Sequence, residues 1–379
     1  MNPTTLQSNL TAIAERWAAD RAARQLRRAL DPADFDALRD AGFLLTGVPE
    51  AMGGVWRSAP ESVRFIGGLL RTLAGGDSSV ALVSAMHPVV LAFWNVTPDA
   101  PAPYTEAWDR QRRLVAQTAL DDHWWGTIQS EPESGGDTTR TKTGARLVDA
   151  TTGEYRTTGL KHFGSGSGVT SYMLTVAVPE GETLPDNFSM DVRGHAWDGS
   201  TGITLVAPWD SHAMPATQSH SFRYDDFPAI RFAWPNRPKA VAPTAFIACL
   251  FTSVIVGVVD VAMATARERL LARRGALRPY EQVEWTTAET EAWLIQQAYQ
   301  GMLTAMERQP DPLHDVRLGK AAISQLAESV LLRLTRVMGG GTLSRRSPFG
   351  FWFEDVRALG FLRPPWGLAY DEIIADSLG

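Results

Sequence analysis

One cysteine, Cys249, in 379 residues excludes a disulfide framework within a chain and any zinc site built on cysteines. No run of basic residues exceeds a pair such as Arg27-Arg28 or Arg345-Arg346. With 36 Lys and Arg against 42 Asp and Glu, the net charge is -6, which argues against a nucleic-acid partner. That charge is too small, and the 44% hydrophobic content too high, for a disordered chain. The opening MNPTTLQSNL lacks the basic-then-apolar layout of a signal peptide. The apolar run from Phe246 to Val261 is shorter than the roughly 20 residues a membrane span needs. No His, Asp and Glu spacing suggests a metal. The expectation is a soluble, cytoplasmic protein of two to three ordinary domains, with no membrane partner.

Three compositional blocks follow one another. Over 1–120, Leu6, Leu10, Ile13 and Trp17 recur at steps of three and four, the mark of one apolar helix face. Asp31-Pro32 reads as an N-cap with proline at the first helical position, and Gly42 ends that helix. Further helices are expected over 62–73 and 80–95, the latter open to interruption at Pro88. Over 121–238, strand-like runs (Tyr172 to Val178, Gly202 to Val206, Ser219 to Tyr224) alternate with turn formers such as Thr152-Gly153 and Asp198-Gly199. Over 239–379 helices return. Ile247, Phe251, Val254, Val258 and Val261 keep helical spacing with apolar residues between them, so that helix is expected to be buried nearly all round. Two long helical patterns follow, 286–307 and 315–338, and Gly339-Gly340-Gly341 stops the second. The fold class is α+β: an N-terminal helical domain, a central antiparallel β domain and a C-terminal helical bundle.

The densest local signal is Gly126-Thr-Ile128-Gln129-Ser130-Glu-Pro-Glu-Ser-Gly135-Gly136-Asp137, followed by Gly159-Leu-Lys161-His-Phe163-Gly-Ser165-Gly166. On spacing alone, Gly135-Gly136 suits either backbone amides cradling a phosphate or a plain turn between strands. His87, on an apolar helix, reads as a core histidine; His212 and His220 fall on late strands, where His220 is a candidate to reach a substrate. Trp124-Trp125, just ahead of the motif, are candidates to wall a pocket.

Ser-Glu-Pro-x-x-Gly-x-Asp followed by Gly-x-Lys-x-Phe, in an α–β–α order, resembles the acyl-CoA dehydrogenase superfamily of flavoproteins. The likeness extends to Ala41-Gly42-Phe43 through Gly53-Gly54, Ala81 to His87, Met214 to Asp226, Val337-Met-Gly339-Gly340, and Asp355-Val-Arg357. The resemblance implies a flavin, FAD or FMN, between the β domain and the C-terminal helices. It implies that Ile128, Gln129 and Ser130 line the pyrimidine edge with backbone amides and a hydroxyl. Phe163 takes the aromatic place beside the ring, and Ser165 the hydroxyl position near flavin N5. Gly135 and Gly136 match the pyrophosphate loop, while Arg336, Gly339 and Gly340 match the approach of a neighbouring subunit. A homodimer or homotetramer is implied with it.

The departures bear on activity. Arg363 stands in the slot of the family's base glutamate, and a guanidinium stays protonated in proteins. Arg273-Arg274-Gly275-Ala276-Leu277, where some members carry the glutamate instead, holds no acid, and Glu281 lies beyond it. Thr244-Ala-Phe-Ile-Ala-Cys-Leu lacks the charged pair that helps hold coenzyme A. A monooxygenase needs reduced flavin, oxygen and a dry pocket instead of that base. Phe163-Gly-Ser165-Gly166 also resembles the turn of the superfamily's two-component hydroxylases. The reading favours a flavin monooxygenase acting on a small non-CoA substrate and fed by a separate flavin reductase. Ser165, Arg363 and His220 are its candidate catalytic residues. The alternatives are an acyl thioester dehydrogenase with a displaced base, or a non-catalytic relative.

Overall fold

The computed structural model describes residues 2–362 and 364–378. The chain opens with α1 (Pro3–Ala19), whose buried Leu6, Leu10, Ile13 and Trp17 are the periodic residues of the sequence. A short α2 (Arg21–Arg24) and α3 (Pro32–Asp40) follow. Asp31 caps α3 as expected, its side chain accepting from Ala33 N, and Gly42 at φ 94 turns the chain away. Then come α4 (Ala59–Gly76), α5 (Ser78–Asn95) and α6 (Thr105–Leu120). Pro88 does not interrupt α5, which runs unbroken past it. Nearly every α5 residue is buried, so packing on all sides outweighs the one backbone bond that proline removes.

The middle of the chain forms β1 (Trp125–Thr127), β2 (Gly144–Asp149), β3 (Glu154–Gly164), β4 (Tyr172–Pro179), β5 (Asp186–Asp191), β6 (Ile203–Ala207) and β7 (His220–Arg231). Pairing runs β4–β2–β3–β7–β5 and returns from β5 to β4, closing a five-strand barrel. β1 adds to β4 and β6 to β7. The expected antiparallel sheet is corrected: β4 lies parallel to both β1 and β2. Side-chain alternation is the same in either direction, so strand sense leaves no mark in the local sequence. Closure removes exposed edges and encloses Tyr155, Phe188, Phe222 and Phe227.

The last block holds α7 (Thr244–Leu271), α8 (Pro279–Arg308), α9 (Leu313–Met338), α10 (Pro348–Gly360) and α11 (Trp366–Leu378). As expected, α7 is buried nearly all round, but at 28 residues it is longer than its apolar run. By length and composition α5 and α7 could each cross a membrane; 89% and 83% of their apolar windows are buried inside the fold instead. Leu10, Ile66 and Leu70 share one continuous core with Val254, Val258, Ile323 and Val330. The first and last helical blocks are therefore joined by packing, with the barrel between them in sequence.

Asp355 ties all three blocks together. From α10, 2% exposed, it accepts Ser78 Oγ (2.5 Å) at the start of α5 and Met214 N (2.7 Å) in the segment leading to β7. Burial raises its carboxyl to about 7, against the downward pull of those two donors. The folded chain thus binds a proton that the unfolded chain has released by pH 4, and stability falls as pH rises from about 4 to about 7. In Asp355→Asn the amide oxygen still accepts from Met214 and the NH2 meets Ser78. Thermal unfolding across pH 5–8 should show this variant about 1–3 kcal/mol more stable than wild type at pH 8, with the gap closing toward pH 5. Parallel pH profiles would refute the assignment.

Candidate functional site

The loop over 128–143 and the end of β3 meet through a buried ion pair. Lys161, 0% exposed, donates from Nζ to Glu131 Oε1 (2.6 Å) and to Val176 O on β4 (2.5 Å). Glu131 also accepts Thr143 Oγ1 (2.6 Å), Thr141 Oγ1 (2.9 Å) and Lys142 N (2.6 Å). Burial pushes the Glu131 carboxyl up, but the hydrogen bonds from Lys161, Thr143 and Lys142 prevail and hold it at about 2. The Glu of Ser-Glu-Pro and the Lys of Gly-x-Lys are therefore one fastening of this loop to the barrel, and neither is poised to move a proton.

On that fastened loop, Ile128 departs from expectation. Its amide donates to Leu174 O (2.9 Å) and its carbonyl accepts Thr175 Oγ1 (2.7 Å), so the sheet uses its backbone and no amide is left to line a ring. Its side chain is fully buried in the barrel. Gln129 and Ser130 are half-buried beside it, and Ser130 O accepts His162 N (2.8 Å).

Between Lys161 and Gly164 the β3–β7 register breaks in a bulge. It turns out Phe163, which is 56% exposed at φ 60, a left-handed conformation costly for a side chain with a Cβ. Its ring meets the edge of Trp209 at 6.1 Å. Ser165 lies just beyond, buried, with its Oγ 2.8 Å from Ser219 Oγ. Gly166 at φ 83 closes the turn, donating from N to Thr217 O (2.8 Å).

Gly135 and Gly136 are both left-handed, at φ 62 and 85. A Cβ at Gly135 would meet only open space, whereas one at Gly136 would stand 2.9 Å from Pro365 Cγ. Lys320 of α9, 3% exposed, brings that proline in by donating to the carbonyls of Leu362 and Pro364; burial lowers its amine to about 7. Arg363 lies outside the described residues.

The structure does not bring every candidate together. Arg336 is exposed and paired with Glu284 (3.4 Å); Gly339 at φ 81 stops α9, and Gly340 opens the turn after it. At 1.5 Å per residue, Arg336 lies about 24 Å along α9 from Lys320, at the far end from Gly136 within one chain. His220 is seated as a packed histidine rather than a free catalytic group. Its Nδ1 accepts Trp209 N (2.8 Å), its ring lies between Trp197 and Phe222, and burial lowers its pKa. His212 is exposed. His87 is the core histidine expected: Nε2 is 2.9 Å from Leu44 O, Nδ1 accepts Trp125 N, and burial lowers it to about 4. Trp124 and Trp125 do not wall a pocket. Trp124 packs on Phe35 and Phe43, and Trp125 on Trp94 and Tyr172. Among the described residues no group of three or more His, Cys, Asp and Glu could hold a metal.

Sequence reasoning missed the pairing of Glu131 with Lys161, and the hydroxyls of Thr217 and Ser219 beside Ser165. Only the second left a trace: two polar residues spaced by one, both on a buried segment.

No family model matches the chain. It is 26% identical to "Amino sugar nitrososynthase DnmZ" of Streptomyces peucetius over 87% of this chain and 82% of that protein. It is 24% identical to "Putative acyl-CoA dehydrogenase YdbM" of Bacillus subtilis over 86% of this chain and 84% of that one. With "Dibenzothiophene monooxygenase" of Mycolicibacterium goodii the identity is 25%, over 68% and 60%. Among solved structures, KijD3 in complex with FMN and a dTDP-linked amino sugar superposes with a TM-score of 0.82, at 20% identity, covering 100% of this chain and 94% of that one. The motifs stand in family order along a matching fold, so the chain is similar in sequence and in fold to proteins of the acyl-CoA dehydrogenase superfamily.

Proposed function

We propose that the chain is a flavin-dependent monooxygenase, taking reduced FMN or FAD from a separate reductase and oxygenating a small substrate that carries no coenzyme A. One observation carries the choice: the acids near the candidate site or the base positions are already committed. Glu131 is held ionised by Lys161. Asp355 is closed in by Ser78 and Met214. Glu281 accepts from Arg273 (2.9 Å) and from Arg278 N (2.7 Å), capping α8. The remaining base position holds Arg363, which cannot accept a proton. The names of the nitrososynthase and dibenzothiophene monooxygenase relatives agree with this reading, and the FMN held by KijD3 supports a flavin here.

The residues fit such a ring. Phe163, 56% exposed in a strained conformation and met edge-on by Trp209, keeps apolar ring surface that an isoalloxazine face would cover. The left-handed glycine at 135, with open space around it, leaves room for a phosphate against the backbone. Bound reduced flavin would supply the electrons and the centre that reacts with oxygen. Around it Phe163 would cover one face, Ser165 would present its hydroxyl oxygen toward a ring nitrogen, and Phe163 with Trp209 would keep water out. The separation of Arg336, Gly339 and Gly340 from this loop supports a homo-oligomer in which one copy's α9 end meets another's loop. Exposed Tyr280, Val283, Trp293 and Leu294 along α8 support the same assembly. We place the enzyme in the cytoplasm, beside its reductase.

The test is direct. Titrating FMN or FAD into the purified protein should change the visible spectrum, and reduced flavin with oxygen should give an oxygenated product from a panel of small amine, sulfur and aromatic substrates. Phe163→Ala should weaken flavin binding about tenfold, the loss of one stacked aromatic contact. Acyl thioesters should reduce no dye. Thioester-dependent dye reduction would instead support the dehydrogenase suggested by the name of the Bacillus relative.

A further inference from the structure

Three buried hydroxyls stand in series behind the bulge of β3. Ser165 Oγ is 2.8 Å from Ser219 Oγ, which is 2.8 Å from Thr217 Oγ1, and Thr217 donates to Met214 O at 3.0 Å. They are 6%, 6% and 1% exposed, so water does not compete for their protons. A hydroxyl has one proton to give, and a carbonyl has none. With the Thr217 proton on Met214 O, the Ser219 proton goes to Thr217 and the Ser165 proton to Ser219. What Ser165 turns outward is a lone pair.

The far end of the series is anchored. Met214 N donates to the buried carboxyl of Asp355 (2.7 Å), and Met214 O also receives Trp209 Nε1 (3.2 Å) and Thr217 N (3.1 Å). Met214 is itself left-handed at φ 42. Gly166 N on Thr217 O (2.8 Å) holds the two segments side by side, so the hydroxyls cannot drift apart.

We infer that Thr217 and Ser219 are positioning residues that fix the direction of the Ser165 hydroxyl and thereby make the site select reduced over oxidised flavin. The inference rests on the flavin reading above. An oxidised isoalloxazine offers a bare ring nitrogen where the reduced ring offers N–H. Ser165 held as an acceptor pairs with the N–H, and against the bare nitrogen it sets lone pair to lone pair. A mismatch of that kind between buried groups corresponds to roughly tenfold or more in affinity. The consequence suits a chain supplied from outside: reduced flavin is taken and oxidised flavin is let go.

The test compares anaerobic binding of dithionite-reduced FMN with binding of oxidised FMN, by fluorescence and visible absorbance, in wild type, Ser219→Ala, Thr217→Val and Thr217→Ser. Wild type should bind the reduced form about tenfold more tightly. Ser219→Ala and Thr217→Val free Ser165 to turn its proton outward, so the ratio should fall about tenfold. The midpoint potential of bound FMN should drop by about 30 mV with it. Thr217→Ser keeps the hydroxyl and should keep the ratio. Circular dichroism reports whether each variant is folded; the near-isosteric Thr217→Val tests the same link should Ser219→Ala unfold. Wild type binding both forms equally, or ratios unmoved in the folded variants, would overturn the hydroxyl series while leaving the flavin reading intact. Wild type binding neither form would overturn both.

Discussion

Lys161→Met should destabilise the protein by about 3–5 kcal/mol and abolish measurable flavin binding. The methionine fills the stem's volume but leaves Glu131, whose side chain is 5% exposed, as a buried carboxylate without its cation. The loss is local in cause and wide in effect. Glu131 also holds the hydroxyls of Thr141 and Thr143 and the amide of Lys142, so the loop between Ser130 and Thr143 loses its charged fastening to the barrel. Urea unfolding and FMN titration on the same preparation read both effects. Adding Glu131→Gln to Lys161→Met should recover part of the stability, because no bare charge then remains inside. The pH dependence has a definite sign. The folded carboxyl sits near 2 and its ordinary value is 4.5, so the pair's contribution is complete above about pH 4.5 and is lost as pH falls toward 2. A change below 1 kcal/mol in Lys161→Met would show that the pair does not fasten the loop.

Gly166→Ala should cost about 2–5 kcal/mol and displace Ser165. Two penalties add. A Cβ in the left-handed conformation at φ 83 is strained by about 1–2 kcal/mol. It would also stand 2.7 Å from Val83 Cγ1 and 3.1 Å from Thr170 Cγ2, an overpacking of about 1–3 kcal/mol. Val83 sits on buried α5, which cannot retreat without disturbing the shared helical core. The turn must move instead, carrying with it Ser165 and the Gly166 N to Thr217 O bond. Double substitution with Val83→Ala removes the nearer contact and should restore part of the stability while leaving the backbone strain. If Gly166→Ala melts with wild type and binds FMN as well, the turn is looser than the geometry states.

Much of the fold was legible along the chain because helices announce themselves locally. The periodic apolar face of α1, the Asp31 cap and the all-round burial of α7 follow from spacing and residue chemistry within one turn or two. Gly135-Gly136 was legible in the same way, as a pair whose missing Cβ permits a close turn, and both are left-handed. The runs that became β4, β6 and the first half of β7 were readable, but β7 continues to Arg231, past the expected end at Tyr224. Strand direction was not readable, because β4 acquires its parallel neighbours only when the barrel closes. Pro88 misled for a related reason: its local cost is fixed, but the packing that absorbs it comes from elements far away in sequence.

The candidate site divides along the same line. Residue identity determined what could never be a base at 363, that a glycine pair follows Ser-Glu-Pro, and that an aromatic residue and a serine follow Lys161 two and four positions on. Tertiary structure decided what those residues are free to do. It spends the Ile128 amide on Leu174, the His220 ring nitrogen on Trp209, and the Lys161 charge on Glu131. It also lines up Thr217 and Ser219, more than 50 residues away in sequence, behind Ser165. A side chain's chemistry is set by its covalent structure, whereas its remaining hydrogen-bonding capacity depends on which distant partners folding places beside it.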